Sequence, residues 1–168
     1  MLVVEDGSIV PGADSYVRLT EARALAAKYG IALPEDDTAA EAALRNGALY
    51  LGLQESAMCG RRVSASQSLS FPRTGISLYG FPVNSTTIPT QVIQAQIIAA
   101  VEYGKGTDVR ASSDGRSTSM ERVEGAVTVQ YFDNGANGST TTITAAIDAL
   151  RPLLCGLNNG SSFNVYRG

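Results

Sequence analysis

The chain has 168 residues, 44% hydrophobic and 17% charged, with 13 Lys and Arg set against 16 Asp and Glu. That length suits one domain able to bury about 70% of the surface its unfolded chain exposes. The formal charge of −3 argues against a protein whose main work is gripping phosphate, which usually carries a dominating basic face.

There is no His, so Ser–His and Cys–His nucleophile pairs are excluded and a zinc site is not expected. Cys59 and Cys155 lie far apart, match no metal spacing and read as free, buried or half-buried thiols in a reducing compartment. The opening MLVVEDGSIVPG lacks the basic and long apolar regions of a signal peptide. No run approaches the ~20 apolar residues of a membrane helix. The expectation is a chain made in a cytoplasm, with no membrane partner.

Residues 1–14 read as an N-terminal arm in which Val3, Val4, Ile9 and Val10 could pair as a hairpin around Asp6-Gly7. A first helix starts at Thr20, capped by its hydroxyl, with Ala22, Leu25, Ala26 and Tyr29 as its apolar stripe and Gly30 beyond its end. A second begins near Thr38, where Thr38 and Glu41 have capping-box spacing, and buries Ala40, Ala43, Leu44, Ala48 and Leu51. Gly47 inside it marks either a close helix contact or nothing in particular. The carboxylates Glu35, Asp36 and Asp37 ahead of this helix read as a solvated loop whose charge suits a helix N-terminus.

Residues 54–87 hold no sustained period and form a long connection of the functional or mobile kind. A third helix opens at Pro89, with Val92, Ala95, Ala99 and Glu102 on one line, Ile93, Ile97 and Ala100 beside it, and Gln91, Gln94 and Gln96 on a wetter face. After a polar loop at 111–119, Val123, Val127, Val129 and Tyr131 alternate in a strand over 121–132 with Gly125 as a bulge. A last helix, about 144–154, carries Ile147, Leu150, Leu153 and Leu154, with Pro152 bending or ending it. The tail 156–168 is polar around Phe163, Val165 and Tyr166, spaced so that it could add as a strand to a partner. The fold expected is mainly α: a small bundle of three to four helices with a small β element, a long middle loop and extended N- and C-terminal arms. Its domain runs over 15–155.

No phosphate loop, paired-carboxylate pocket or activated nucleophile is visible, so no catalytic, cofactor or metal residue is nominated and an enzyme is not expected. Arg61, Arg62 and Arg73 share the middle loop and could meet DNA phosphates or a partner's carboxylates. The plainer alternative is internal ion pairs and caps that hold the loop down. Phe71 and Tyr79 are few aromatics for a platform that stacks single-stranded bases.

Taken in order, several short pieces carry a resemblance. They are Ser15-Tyr16, TEARALAAKYG, AALRNGALYL at 42–51, the Arg61-Arg62 pair followed by QSLSFPRTG, IPTQVIQAQIIAA at 88–100, ERVEGAVTVQY and IDALRPLL. This ordered set resembles the head–tail connector (adaptor) proteins of tailed bacteriophages, although Phe71 stands where that family often has Trp. The resemblance implies a structural virion protein at the neck. It would form a homo-oligomeric ring, commonly of twelve copies, under the portal protein, docking the next neck or tail component while double-stranded DNA passes through unheld. Arg61, Arg62, Phe71, Pro72, Arg73, Phe163, Val165 and Tyr166 are then the candidate interface residues. QSLSFPRTG would clamp helices two and three, and the tail would meet the portal. Part of the family carries the description of a DnaT-like single-strand-binding protein, and a single-stranded DNA-binding replication accessory protein is the alternative.

Overall fold

The computed structural model describes residues 1–106, 120–122, 128–130 and 143–155. Four helices, α1 Leu19–Lys28, α2 Asp37–Leu53, α3 Thr90–Gly104 and α4 Thr144–Leu150, enclose the core. Short 3-10 turns follow α2 at Glu55–Ala57 and α4 at Arg151–Leu153. Six brief strands make three two-stranded antiparallel ladders. β1 Arg61–Arg62 pairs with β2 Arg73–Thr74, β3 Ser77–Leu78 with β4 Phe81–Pro82, and β5 Met120–Arg122 with β6 Thr128–Gln130. The expected mixture of helices and a small β element is therefore present. Where one strand was expected over 121–132 there are two paired strands; Gly125 and the polar loop at 111–119 lie outside the described residues.

Packing centres on α2 and α3, with α4 laid on α3 and α1 against both. The reason is in the side chains. Ala40, Ala43 and Ala48 of α2 and Ala95, Ala99 and Ala100 of α3 are all buried, and small residues let two backbones approach closely. At Gly47 the approach is closest: a Cβ there would lie 2.5 Å from the Gln96 carbonyl oxygen and 3.2 Å from the Ala100 nitrogen. Two clusters flank this seam. One gathers Ala22 and Ala26 of α1 with Leu44, Ile97 and Val101. The other gathers Tyr50, Leu51, Phe71, Val92, Leu150, Leu153 and Leu154.

Four expectations are corrected. Gln96 is not on a wet face but fully buried. Its Oε1 accepts the Tyr16 amide at 2.9 Å, while its Nε2 donates to the Ser15 hydroxyl at 2.8 Å and the Leu44 carbonyl at 2.9 Å. The helix starts shift too. Asp36, not a Thr38–Glu41 box, caps α2 by accepting from the Ala39 amide at 2.8 Å, and α1 has Arg18 at its cap with no side-chain bond. Glu41 is drawn instead to Arg45 and the Met1 ammonium.

The N-terminal arm makes no hairpin. The buried Glu5 carboxylate accepts the amides of Gly7, Ile9 and Val10 and curls the chain around itself. Finally, the two cysteines are not free: Cys59 and Cys155 are joined in a disulfide across a sequence separation of 96. The 3-10 turn after α4 brings residues 153–155 antiparallel to 57–59, with Cys59 N–H donating to Leu153 O and Cys155 N–H to Ala57 O, each at 2.8 Å. Closing a loop of that length restricts the unfolded chain by an amount worth about 4–5 kcal/mol on the chain-entropy model. Pro152 ends α4 as expected, the last turn continuing as 3-10.

The seam makes a prediction. Gly47→Ala forces backbone against backbone and lowers unfolding stability by about 2 kcal/mol. Gly52→Ala, also in α2 with nothing within 4 Å of its added Cβ, raises it by about 0.5–1 kcal/mol. Urea titration of both variants checks this; equal effects would place the close contact elsewhere.

Candidate functional site

The long connection between α2 and α3 is folded around one carboxylate. Glu55, in the 3-10 turn after α2, takes a two-pronged contact from Arg62, with Nε to Oε1 and Nη2 to Oε2 both at 2.6 Å. Arg73 reaches the same Oε1 at 3.2 Å, and the Ser70 hydroxyl donates to Oε2 at 3.2 Å. The Arg73 side chain is only 5% exposed, and its remaining donors are aimed at the carbonyls of Cys59, Gly60 and Ser70. A guanidinium this buried is tolerable because its charge is matched and its N–H groups are bonded. The Arg62 hydrogen bonds hold the Glu55 carboxyl below the usual carboxylate range, and Glu55 in turn raises Arg62.

QSLSFPRTG wraps this pair. Gln67 Oε1 accepts the amides of Val63 and Ser64, while its Nε2 donates to the carbonyls of Leu69 and Pro72. Phe71 is fully buried, its amide donating to the Tyr16 hydroxyl at 3.0 Å. Its ring meets Tyr16 edge to face at 6.5 Å, with the Arg73 guanidinium 6.0 Å from its centroid. Burial pushes the Tyr16 phenol far up. The Phe71–Pro72 peptide is cis. Of the nominated interface residues, Phe71, Pro72 and Arg73 are thus buried within the subunit, and Arg62 is bound to its own Glu55. Only Arg61 faces solvent, on β1 opposite Thr74. Phe163, Val165 and Tyr166 lie outside the described residues.

What the loop displays instead is its second ladder. β3 and β4 pair Leu78 with Phe81 across the two-residue turn Tyr79-Gly80. Both turn residues have positive φ, 54° and 88°, as a turn matching the strand twist requires. Gly80 takes that conformation freely; Tyr79 takes it at a steric cost. Tyr79 is 77% exposed, and Phe81 75%. Leu78 and Val83 are partly buried against the cluster that includes Leu153 and Leu154, so the hairpin is anchored at its base and aromatic at its tip. Sequence reasoning counted Phe71 and Tyr79 as too few aromatics for a stacking platform; the structure buries Phe71 and exposes Phe81 as well as Tyr79. The signal was Gly80 between apolar residues, readable as a turn.

The charge around the hairpin is sparse. Arg18, Arg23, Arg45, Arg62, Arg73, Lys105 and Arg151 all have carboxylate partners. Among the described residues, Arg61 and Lys28 have none. No group of acidic, Cys or His side chains among the described residues could hold a metal. A shallow groove of about 380 Å³ between α1, α3 and α4 is lined by Tyr29, Ile31, Ile98 and Val101 with Gln94 and Glu102.

The carboxylate hub makes a pH-dependent prediction. A carboxyl held low in the folded state contributes stability that is fully present above its ordinary value of 4.5 and lost as the pH falls through the folded value. Glu55→Gln strands Arg73 without its counter-charge and costs about 3 kcal/mol at neutral pH. The gap between wild type and variant should narrow steadily below pH 4.5. Denaturation midpoints over that range check this; a constant gap would mean Glu55 acts by packing alone.

Comparison with known proteins returns one family. A family model described as "Putative DnaT-like ssDNA binding protein" matches residues 1–168, the entire chain. No curated protein matches, and no solved structure does. With a match that leaves no part of the sequence uncovered, the chain belongs to this DnaT-like family.

Proposed function

We propose that the chain binds single-stranded DNA, with the β3–β4 hairpin as its contact. The observation that carries this is the aromatic pair at the hairpin tip, Tyr79 and Phe81, both about three-quarters exposed; the family match supports it. Each base has a π-face, so stacking on Tyr79 and Phe81 would be tolerant of sequence and worth about 1–3 kcal/mol per base. Arg61, exposed on β1, would be the cation that meets a phosphate. Because most other cations among the described residues are held by carboxylates, stacking rather than counterion release would supply the affinity. Single-strand binding loses affinity with salt at a slope of about −0.7 per phosphate contact. One or two contacts then give a fall of only about three- to seven-fold between about 50 and 200 mM salt. On this reading the chain acts by binding, without a catalytic step or cofactor.

A second reading is a ring-forming head–tail connector of a tailed phage, with the portal, the next neck or tail protein and further copies of itself as partners in the virion neck. The charge favours it: a net −3 chain whose Arg62 and Arg73 are paired with Glu55 would let duplex DNA pass without holding it. The exposed aromatic hairpin would then seat in a protein groove.

Fluorescence anisotropy with a labelled poly-dT oligonucleotide at those two salt concentrations tests the first reading. Binding with a shallow salt dependence is expected. Tyr79→Ala and Phe81→Ala should each weaken it by roughly 5- to 100-fold with little change in stability, since both rings are exposed. No binding by the folded wild type at the lower salt would overturn it. In that event, negative-stain microscopy with the cognate portal decides the second reading: a ring added to one end supports it, and no added density contradicts it.

A further inference from the structure

The disulfide sits where the hairpin is seated. β3 packs against the 3-10 turn Arg151–Leu153, and Leu78 and Val83 rest on the cluster that includes Leu153 and Leu154. That seat belongs to a short C-terminal unit. α4 has seven residues, too few to persist as a helix without tertiary support. The unit is fastened to residues 57–59 by the Met58–Leu154 bridge, two backbone hydrogen bonds and the Cys59–Cys155 bond. The same short segment supplies the Cys59 and Gly60 carbonyls that hold Arg73. The bond therefore joins the seat of the hairpin to the clamp around Glu55. Cys155 is exposed and Cys59 half-buried, so a thiolate can reach the Cys155 side from solvent.

We propose that Cys59–Cys155 is a thiol-sensitive fastener of the hairpin seat. Its reduction loosens residues 143–155 and, with them, the display of Tyr79 and Phe81. The step is ordinary exchange with a dithiol. One thiolate attacks the Cys155 sulfur, forming a mixed disulfide and releasing the Cys59 thiolate. The second thiol of the reductant then displaces Cys155 and becomes a disulfide itself. Two electrons and two protons pass from the dithiol to the cysteines. The fastening stands on the contacts above; its consequence for DNA rests on the function proposed in the preceding subsection.

The test uses the full chain, purified without reductant, then with and without dithiothreitol. Before reduction neither cysteine should take an alkylating reagent, and after it both should. Hydrogen exchange followed by mass spectrometry should then quicken at residues 77–82 and 143–155 while α2 is unchanged. Tm should fall by roughly 10 °C. A Cys59→Ser, Cys155→Ser double variant should match the reduced protein and ignore dithiothreitol. Oligonucleotide affinity should fall several-fold on reduction. Alkylation of both cysteines before reduction would overturn the proposal, as would identical exchange at 77–82 in the two states. If exchange quickens at 77–82 but neither state binds the oligonucleotide, the fastener stands and the DNA reading fails.

Discussion

Where α2 meets α3, the backbone of Gly47 lies against the Gln96 carbonyl, leaving no room for a Cβ. One turn of contact fixes three parts of the chain. The Gln96 amide holds the Tyr16 N–H, the Ser15 hydroxyl and the Leu44 carbonyl, so the segment leading into α1 shares with α2 and α3 one fully bonded polar group inside an alanine-lined seam. A buried amide in this position is costly if any partner is lost and specifies the packing when all are present. Ser15 and Tyr16 then carry the effect outward: the Tyr16 hydroxyl accepts the Phe71 amide and fixes the middle loop against the helices.

From Phe71 the order passes to charge. Arg73 and Arg62 converge on Glu55, and the loop's two most promising cations are spent on its own architecture. This is why a loop rich in arginine presents little positive surface. It also shows how a segment with almost no regular structure is held in place: its backbone groups are met by Gln67 and the Arg73 guanidinium, not by long ladders. A loop held in this way is what allows an aromatic hairpin to stand in solvent. Two exposed rings on a floppy segment would collapse onto apolar surface nearby. Here the base is pinned by Leu78 and Val83, and the turn is set by Tyr79 and Gly80.

Much of this was legible in the sequence. The helices follow from apolar spacing, and the starts expected near Thr38 and Pro89 lie one residue from those of α2 and α3. The aromatic-proline-cation order of QSLSFPRTG marked the segment as one to examine; that Phe71 is buried in the core and that Arg73 pairs with Glu55 of the same chain was not legible in it. A glutamate in a 3-10 turn has no signature that distinguishes it from a solvated one. Gln96 was misplaced because its polar type was read ahead of its spacing: four residues after Val92 and four before Ala100, it shares their buried line and not the face of Gln91 and Gln94. The cysteine pairing depends on where α4 returns, which no local pattern encodes. The hairpin hid because a tyrosine at positive φ breaks the usual turn preference for Asn or Gly.

The claim on which the function turns is that bases stack on the hairpin tip. Nuclear magnetic resonance of the labelled chain titrated with a short poly-dT strand tests it most directly. The ring protons of Tyr79 and Phe81 and the amides of 77–82 should shift, together with Arg61, while the amides of α1 and α2 stay in place. Shifts centred elsewhere, or none at saturating strand, would contradict it and leave the hairpin as a surface for protein.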